Sequence, residues 1–120
     1  DAAERIVDAY NEALVQLFAG TSASLGEMLR SEVGGFLEDN EAYQDLFQGV
    51  RLSDSGSLGV GVLENLSSID RGEPLMILQE GLNELFFFLL FAAGDALDHQ
   101  LEQGLQTRVA EALAALPREA

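Results

Sequence analysis

Cysteine, lysine and tryptophan are missing from this chain of 120 residues, and proline occurs only twice. Without cysteine there is no structural disulfide, no thiolate metal site and no thiol nucleophile; cysteine usage then says nothing of the redox compartment, and a cytoplasmic location is simply the plainer expectation. Cations are scarce as well. Six arginines, at positions 5, 30, 51, 71, 108 and 118, lie far apart and face twenty-one acidic residues, for a net charge of -15. Nucleic-acid binding needs clustered cations that displace counterions, and an interfacial membrane helix normally has a basic polar face, so neither partner is expected. Long hydrophobic runs are also lacking. The longest, residues 85–93, stops at Gly94 and Asp95, well short of the roughly 20 residues that cross a bilayer. No positively charged leader precedes an apolar stretch at the start, and a first residue Asp1 suits an excised domain or a processed product. The missing lysine, alongside abundant Ala, Leu, Gly and Arg, points to a GC-rich coding sequence.

What is present is a helical pattern over nearly the whole length. Ile6, Val7, Tyr10, Ala13, Leu14, Leu17 and Phe18 form one amphipathic stripe, with Glu4, Asp8, Asn11, Glu12 and Gln16 mainly on the other side, and Gly20 ends it. Ser24 and Glu27 make a capping-box pattern that starts a second helix near residue 24, with Leu25, Met28, Leu29, Val33, Phe36 and Leu37 as its stripe. Gly34 and Gly35 fall inside that stripe and cost helix propensity, so either the helix bends there or another backbone packs closely, and close packing is the expectation. Tyr43, Leu46, Phe47 and Val50 give a short third helix ending near Gly49.

Residues 53–57, Ser-Asp-Ser-Gly-Ser, are the clearest internal loop. The next run alternates apolar residues with glycine, but a lone strand has no partner, so Leu58, Val62, Leu63, Leu66 and Ile69 are assigned to a helix. Pro74 fits the first turn of a helix over about 75–93, whose stripe is Leu75, Leu78, Leu82, Leu85, Phe86, Leu89 and Ala93. Met76, Ile77, Phe87, Phe88, Leu90 and Phe91 wrap its other sides, leaving Gly94 as its end. Leu97, Leu101, Leu105, Val109, Ala112, Leu113 and Leu116 define the last helix, closed by Pro117. The expectation is an all-α protein: one helical domain, a bundle of five or six helices around a central hydrophobic helix. No period of about 20–50 residues repeats, so it is not a solenoid.

Chemistry is thinly represented. His99 is the only imidazole, in the acidic setting Asp95, Asp98, Glu102. Histidine phosphotransfer domains are acidic helical bundles of similar length with one exposed histidine, and His99 followed by Leu101 is similar to their motif. The pattern then departs from it, with Glu102 where lysine is usual and Gly104 one residue late. A phosphohistidine there would lack the cation that phosphoryl transfer uses for charge compensation. Asp95, His99 and Glu102 also have the i, i+4, i+7 spacing of a helical metal site, but the Glu-x-x-His pairs of di-iron bundles are absent, and no metal or cofactor is expected. No serine lies in a Gly-x-Ser-x-Gly elbow, and the glycines near Ser57 lack a Walker lysine. Glu80 and Glu84, at i and i+4, are the carboxylate pair to inspect.

With no spaced catalytic set, the residues point to a non-enzymatic protein-protein interaction domain, regulatory, adaptor or dimerising, whose partner is another protein or a second copy. The surplus of aromatic surface names its interface as Phe87, Phe88, Leu90 and Phe91. Signalling through His99 as phosphoacceptor is the alternative.

Overall fold

The computed structural model describes residues 1–116, which form six α-helices: α1 (Ala2–Ala19), α2 (Ala23–Asp39), α3 (Gln44–Phe47), α4 (Gly61–Leu66), α5 (Pro74–Ala93) and α6 (His99–Ala114). Short 3-10 turns, Glu41–Tyr43 and Gly94–Ala96, lead into α3 and out of α5. The protein is the expected all-α bundle. Pro117, expected to close the last helix, lies outside the described residues; α6 itself ends at Ala114, with Ala115 as its cap.

Helix ends are set by local chemistry. The Asp1 carboxylate accepts from the Ala3 N–H and starts α1, and the Asp98 carboxylate accepts from the Leu101 N–H and starts α6. The second helix begins earlier than expected, because Ser22, not Ser24, is its cap. Ser22 is extended, and its Oγ accepts from the Leu25 N–H at 3.2 Å. Pro74 occupies the first turn of α5, where its missing N–H costs nothing. At the far end, Gly94 takes φ 53° and ψ -137°, a conformation that side chains disfavour, and it turns the chain away.

The bundle is assembled around α1 and α5. Helix α5 packs between α1 and α2, and α1 packs between α5 and α6. Arg108 donates to Gln16 while Leu101 lies against Gly20, so α6 runs antiparallel to α1. Tyr10 and Phe86, both buried, meet edge to face at 6.2 Å, and the Tyr10 hydroxyl donates to Asn83 Oδ1 at 3.1 Å. These residues belong to one continuous core that draws on every helix. By length and composition α5 is apolar enough to cross a bilayer, but its inner face is packed into this core and Glu80, Asn83 and Glu84 interrupt its outer face.

Two further expectations need correction. Gly34 and Gly35 do not mark a close helix crossing: Val33 and Leu37 carry the buried stripe of α2, the glycines face outward, and a methyl group at either would meet open space. The close approach is at Gly81 on α5, where a Cβ would stand 2.6 Å from Leu46 Cδ2 and 3.2 Å from Tyr43 Cδ1. The stretch from Leu58 is also less helical than expected. Leu58 forms an isolated antiparallel bridge with Leu52 around the 53–57 turn, and the helix starts only at Gly61.

Polar side chains from the helices hold this irregular segment. Asn11 on α1 donates from Nδ2 to the Leu58 carbonyl at 3.0 Å, and its Oδ1 accepts from the Leu58 N–H at 2.8 Å. Arg30 on α2 donates to the carbonyls of Ser53 and Asp54, with its guanidinium 5.0 Å above the Phe18 ring. Asn65 on α4 donates to the carbonyls of Leu46 and Gln48. Backbone groups of Ser53, Asp54 and Leu58 are thereby partnered without a sheet.

Candidate functional site

Helix α5 has a mean apolar character too high for one face, and the bundle covers only part of it. Ile77, Leu78, Leu82, Leu85, Phe86 and Leu89 face the core. On the opposite side Met76, Glu80, Glu84, Phe87 and Phe91 recur every three or four residues, and all five are exposed. Phe91 is 86% exposed and Phe87 45%. The outer stripe is therefore acidic in its first half and aromatic in its second.

The four residues expected to form an interface fall in three settings. Phe87 and Phe91 are on the surface, one helical turn apart. Phe88 is half-buried at its edge, its ring 5.1 Å from that of Phe36 on α2. Leu90 is only 5% exposed and packs in the core, so its side chain offers nothing to a partner. The reason is angular: Leu90 follows Phe86 by one turn on the side of α5 that meets α1, whereas Phe87 and Phe91 lie on the side turned away from the core.

The surroundings of this stripe are acidic. Tyr43, beside Gly81, has its phenol raised above the ordinary value by burial and by the charges of Glu84 and Glu80, with Arg71 opposing. Arg71 is already engaged: its Nε and Nη2 grip the Asp45 carboxylate at 2.9 and 3.1 Å, and it also donates to the Ala42 carbonyl. The guanidinium holds the Asp45 carboxyl below the usual carboxylate range. Glu32 and Asp39, both exposed, flank Phe36 at i-4 and i+3 on α2. Asp95 and Asp98 follow α5.

His99 is the first residue of α6, its side chain 78% exposed, and its one ion-pair partner among the described residues is Glu102 at 3.9 Å. Asp95 is not on its helix. It sits in the preceding 3-10 turn, and extended Leu97 and Asp98 intervene, so the Asp95–His99–Glu102 helical face expected from spacing does not form. Among the described residues no group of three or more His, Cys, Asp or Glu side chains is placed to hold a metal ion. The Ser53 hydroxyl hydrogen-bonds with those of Ser55 and Ser57, which is turn chemistry.

A cleft of about 550 Å³ lies between α2 and the segment around α3. Val33, Leu37, Phe47 and Val50 line it, with Arg30 and Arg51 at its edge. None of its lining residues is a histidine or a hydroxyl nucleophile, and Arg30 is committed to the 53–57 turn. The cleft therefore has shape without convergent reactive groups.

Sequence reasoning found the phenylalanine run and set Met76 on the same outer sides of the helix, but missed Glu32 and Asp39 beside Phe36. The i, i+4 relation of Glu32 to Phe36 and the i, i+3 relation of Phe36 to Asp39 were the available signal. Compared with known proteins, the chain matches no family model, no curated protein and no solved structure.

Proposed function

We propose that this protein is a non-enzymatic helical interaction domain of the regulatory or adaptor kind, which docks a protein partner on the outer face of α5. The observation that carries this reading is Phe91, 86% exposed one turn from exposed Phe87, on a helix whose other faces are committed to the core. Covering such a pair gains the free energy of apolar burial, and aromatic anchors of this kind dominate protein interfaces. The rim suits the same purpose, because charged residues surround the aromatic centre.

Photo-crosslinking in the cells of origin tests the reading. A benzophenone side chain placed at position 87 or 91 should give one discrete protein adduct, and the same probe at the exposed positions 28 and 60 should not. Adducts of equal yield at all four positions, or none at 87 and 91, would refute it.

A further inference from the structure

The acids around the two exposed phenylalanines specify what kind of chain can cover them. Between residues 72 and 107 there is no arginine or lysine, while Glu73, Glu80, Glu84, Asp95, Asp98 and Glu102 are all present. On α5 the phenylalanines follow Glu80 and Glu84 along one stripe and are followed by Asp95 beyond Gly94. On the neighbouring helix Glu32 and Asp39 flank Phe36, which packs on Phe88. Arg71 lies within electrostatic reach of Glu80, but Asp45 holds it in a two-pronged ion pair.

A second copy fits this surface poorly. Antiparallel pairing of two α5 helices centred between Phe87 and Phe91 sets Glu84 of each copy opposite the C-terminal end of the other's α5, which is followed by Asp95 and Asp98 with no cation between residues 72 and 107. Parallel pairing sets Glu80 against Glu80 and Glu84 against Glu84. Both registers stack like charges around the apolar centre, which specific interfaces avoid.

Building on the interaction reading above, we propose that the occupant is a basic amphipathic helix of a different protein. Its apolar side chains, at i, i+3 or i+4, and i+7, cover Phe87, Phe91 and the exposed edge of Phe88. Its lysines or arginines, one to two turns to either side, reach Glu80 and Glu84 at one end and Asp95 at the other. The stripe from Met76 to Phe91 is about 22 Å long at the helical rise, so four turns of partner helix span it.

Three synthetic helix-forming peptides of about 18 residues, a length set by that span, test the proposal by fluorescence anisotropy. One carries a leucine stripe bracketed by lysine and arginine, one has glutamate in place of the basic residues, and one is the basic peptide scrambled to destroy its stripe. The basic amphipathic peptide should bind at least about tenfold more tightly than either control, a margin worth one anchor residue. Phe87→Ser with Phe91→Ser should erase that margin without changing the circular dichroism spectrum. Glu80→Gln with Glu84→Gln should weaken binding several-fold more than the same change at Glu4 and Glu64, which are exposed on α1 and α4. Equal binding of the scrambled or the acidic peptide, indifference to the phenylalanines, or no binding of the basic peptide overturns the proposal. A photo-adduct at position 91 with twice the 12.9 kDa mass of the chain identifies a second copy as occupant. That result would sink the basic-helix proposal and leave the interaction reading standing, whereas absence of any adduct removes both.

Discussion

Four phenylalanines in six residues of α5 should respond very differently to truncation, because the bundle buries them to different depths. Phe86 is 1% exposed, with its ring 6.2 Å from Tyr10 and 5.4 Å from Phe87. Phe86→Ala leaves a cavity at the contact between α1 and α5, and such changes cost about 3–5 kcal/mol. A chain of this length has a total stability of roughly 6–18 kcal/mol, so this one change removes a sixth of it or more. Phe88→Ala loses its stacking on Phe36 and a partly buried ring, about 1–2 kcal/mol. Phe87→Ala loses less contact and regains about 0.5 kcal/mol of helix propensity. Phe91→Ala loses almost no packing and gains the same propensity, so it should lie within about 0.5 kcal/mol of the wild type.

Urea unfolding followed by far-ultraviolet circular dichroism measures this order, with an unchanged m-value as the check that only stability has moved. A Phe91→Ala cost above about 2 kcal/mol, the scale of burying a whole phenylalanine, would refute the assignment of Phe91 to the surface. If that cost also depended on protein concentration, Phe91 would be buried between copies in solution.

The glycines give a second ordering: Gly34→Ala and Gly35→Ala should each stabilise by up to about 1 kcal/mol. Gly81→Ala should destabilise, because the contacts with buried Leu46 and with Tyr43 impose an overpacking cost of about 1–3 kcal/mol that exceeds the propensity gain. Equal effects at 34 and 81 in the same urea assay would contradict this. Burial pushes the Tyr10 phenol up to about 12, above its ordinary value of 10. Its folded pKa is therefore the higher one, and its contribution is intact below pH 10 and lost as pH rises from 10 toward 12. Tyr10→Phe should flatten that alkaline loss, and an absorbance titration unaltered by the substitution would count against it. Asn11→Ala orphans both backbone groups of Leu58, at about 1–3 kcal/mol. Amide exchange at Leu58 should accelerate, and an unchanged Leu58 rate would mean that the turn does not depend on Asn11.

Which parts of this architecture are readable from the sequence follows from the range of the interactions that set them. The stripes of α1, α5 and α6 repeat within a few residues, and the end signals Pro74 and Gly94 are equally local, which makes the helices legible. The 52–60 segment is not, because its conformation depends on Asn11, 47 residues before Leu58, and on Arg30, 23 residues before Ser53. The same limit explains the glycines. Propensity alone treats Gly34 and Gly81 alike, and only the position of α3 against α5 makes one a free surface and the other a contact. For the aromatic run, composition shows that α5 has more apolar surface than one face needs. Which residues are left over depends on where α1 and α2 lie, and that moves Leu90 inward and leaves Phe91 in water.

Exposing Phe91 and Phe87 invites indiscriminate association, and the net charge of -15 opposes it by keeping copies apart. In the proposed docking the acids would have two roles, bracketing the aromatic stripe and repelling like molecules from it. These roles separate with pH. Near the isoelectric point of about 4.1 the repulsion vanishes while the phenylalanines remain exposed, so the wild type should self-associate there. Phe87→Ser with Phe91→Ser keeps every charge and removes the sticky surface. Its light scattering between pH 5 and pH 4, the range in which carboxylates of ordinary pKa neutralise, should rise much less than that of the wild type. Coincident curves for the two proteins would mean that association at low pH arises from general charge loss or unfolding. The outer face of α5 would then have no special tendency to be covered, and the ground for placing a partner there would go with it.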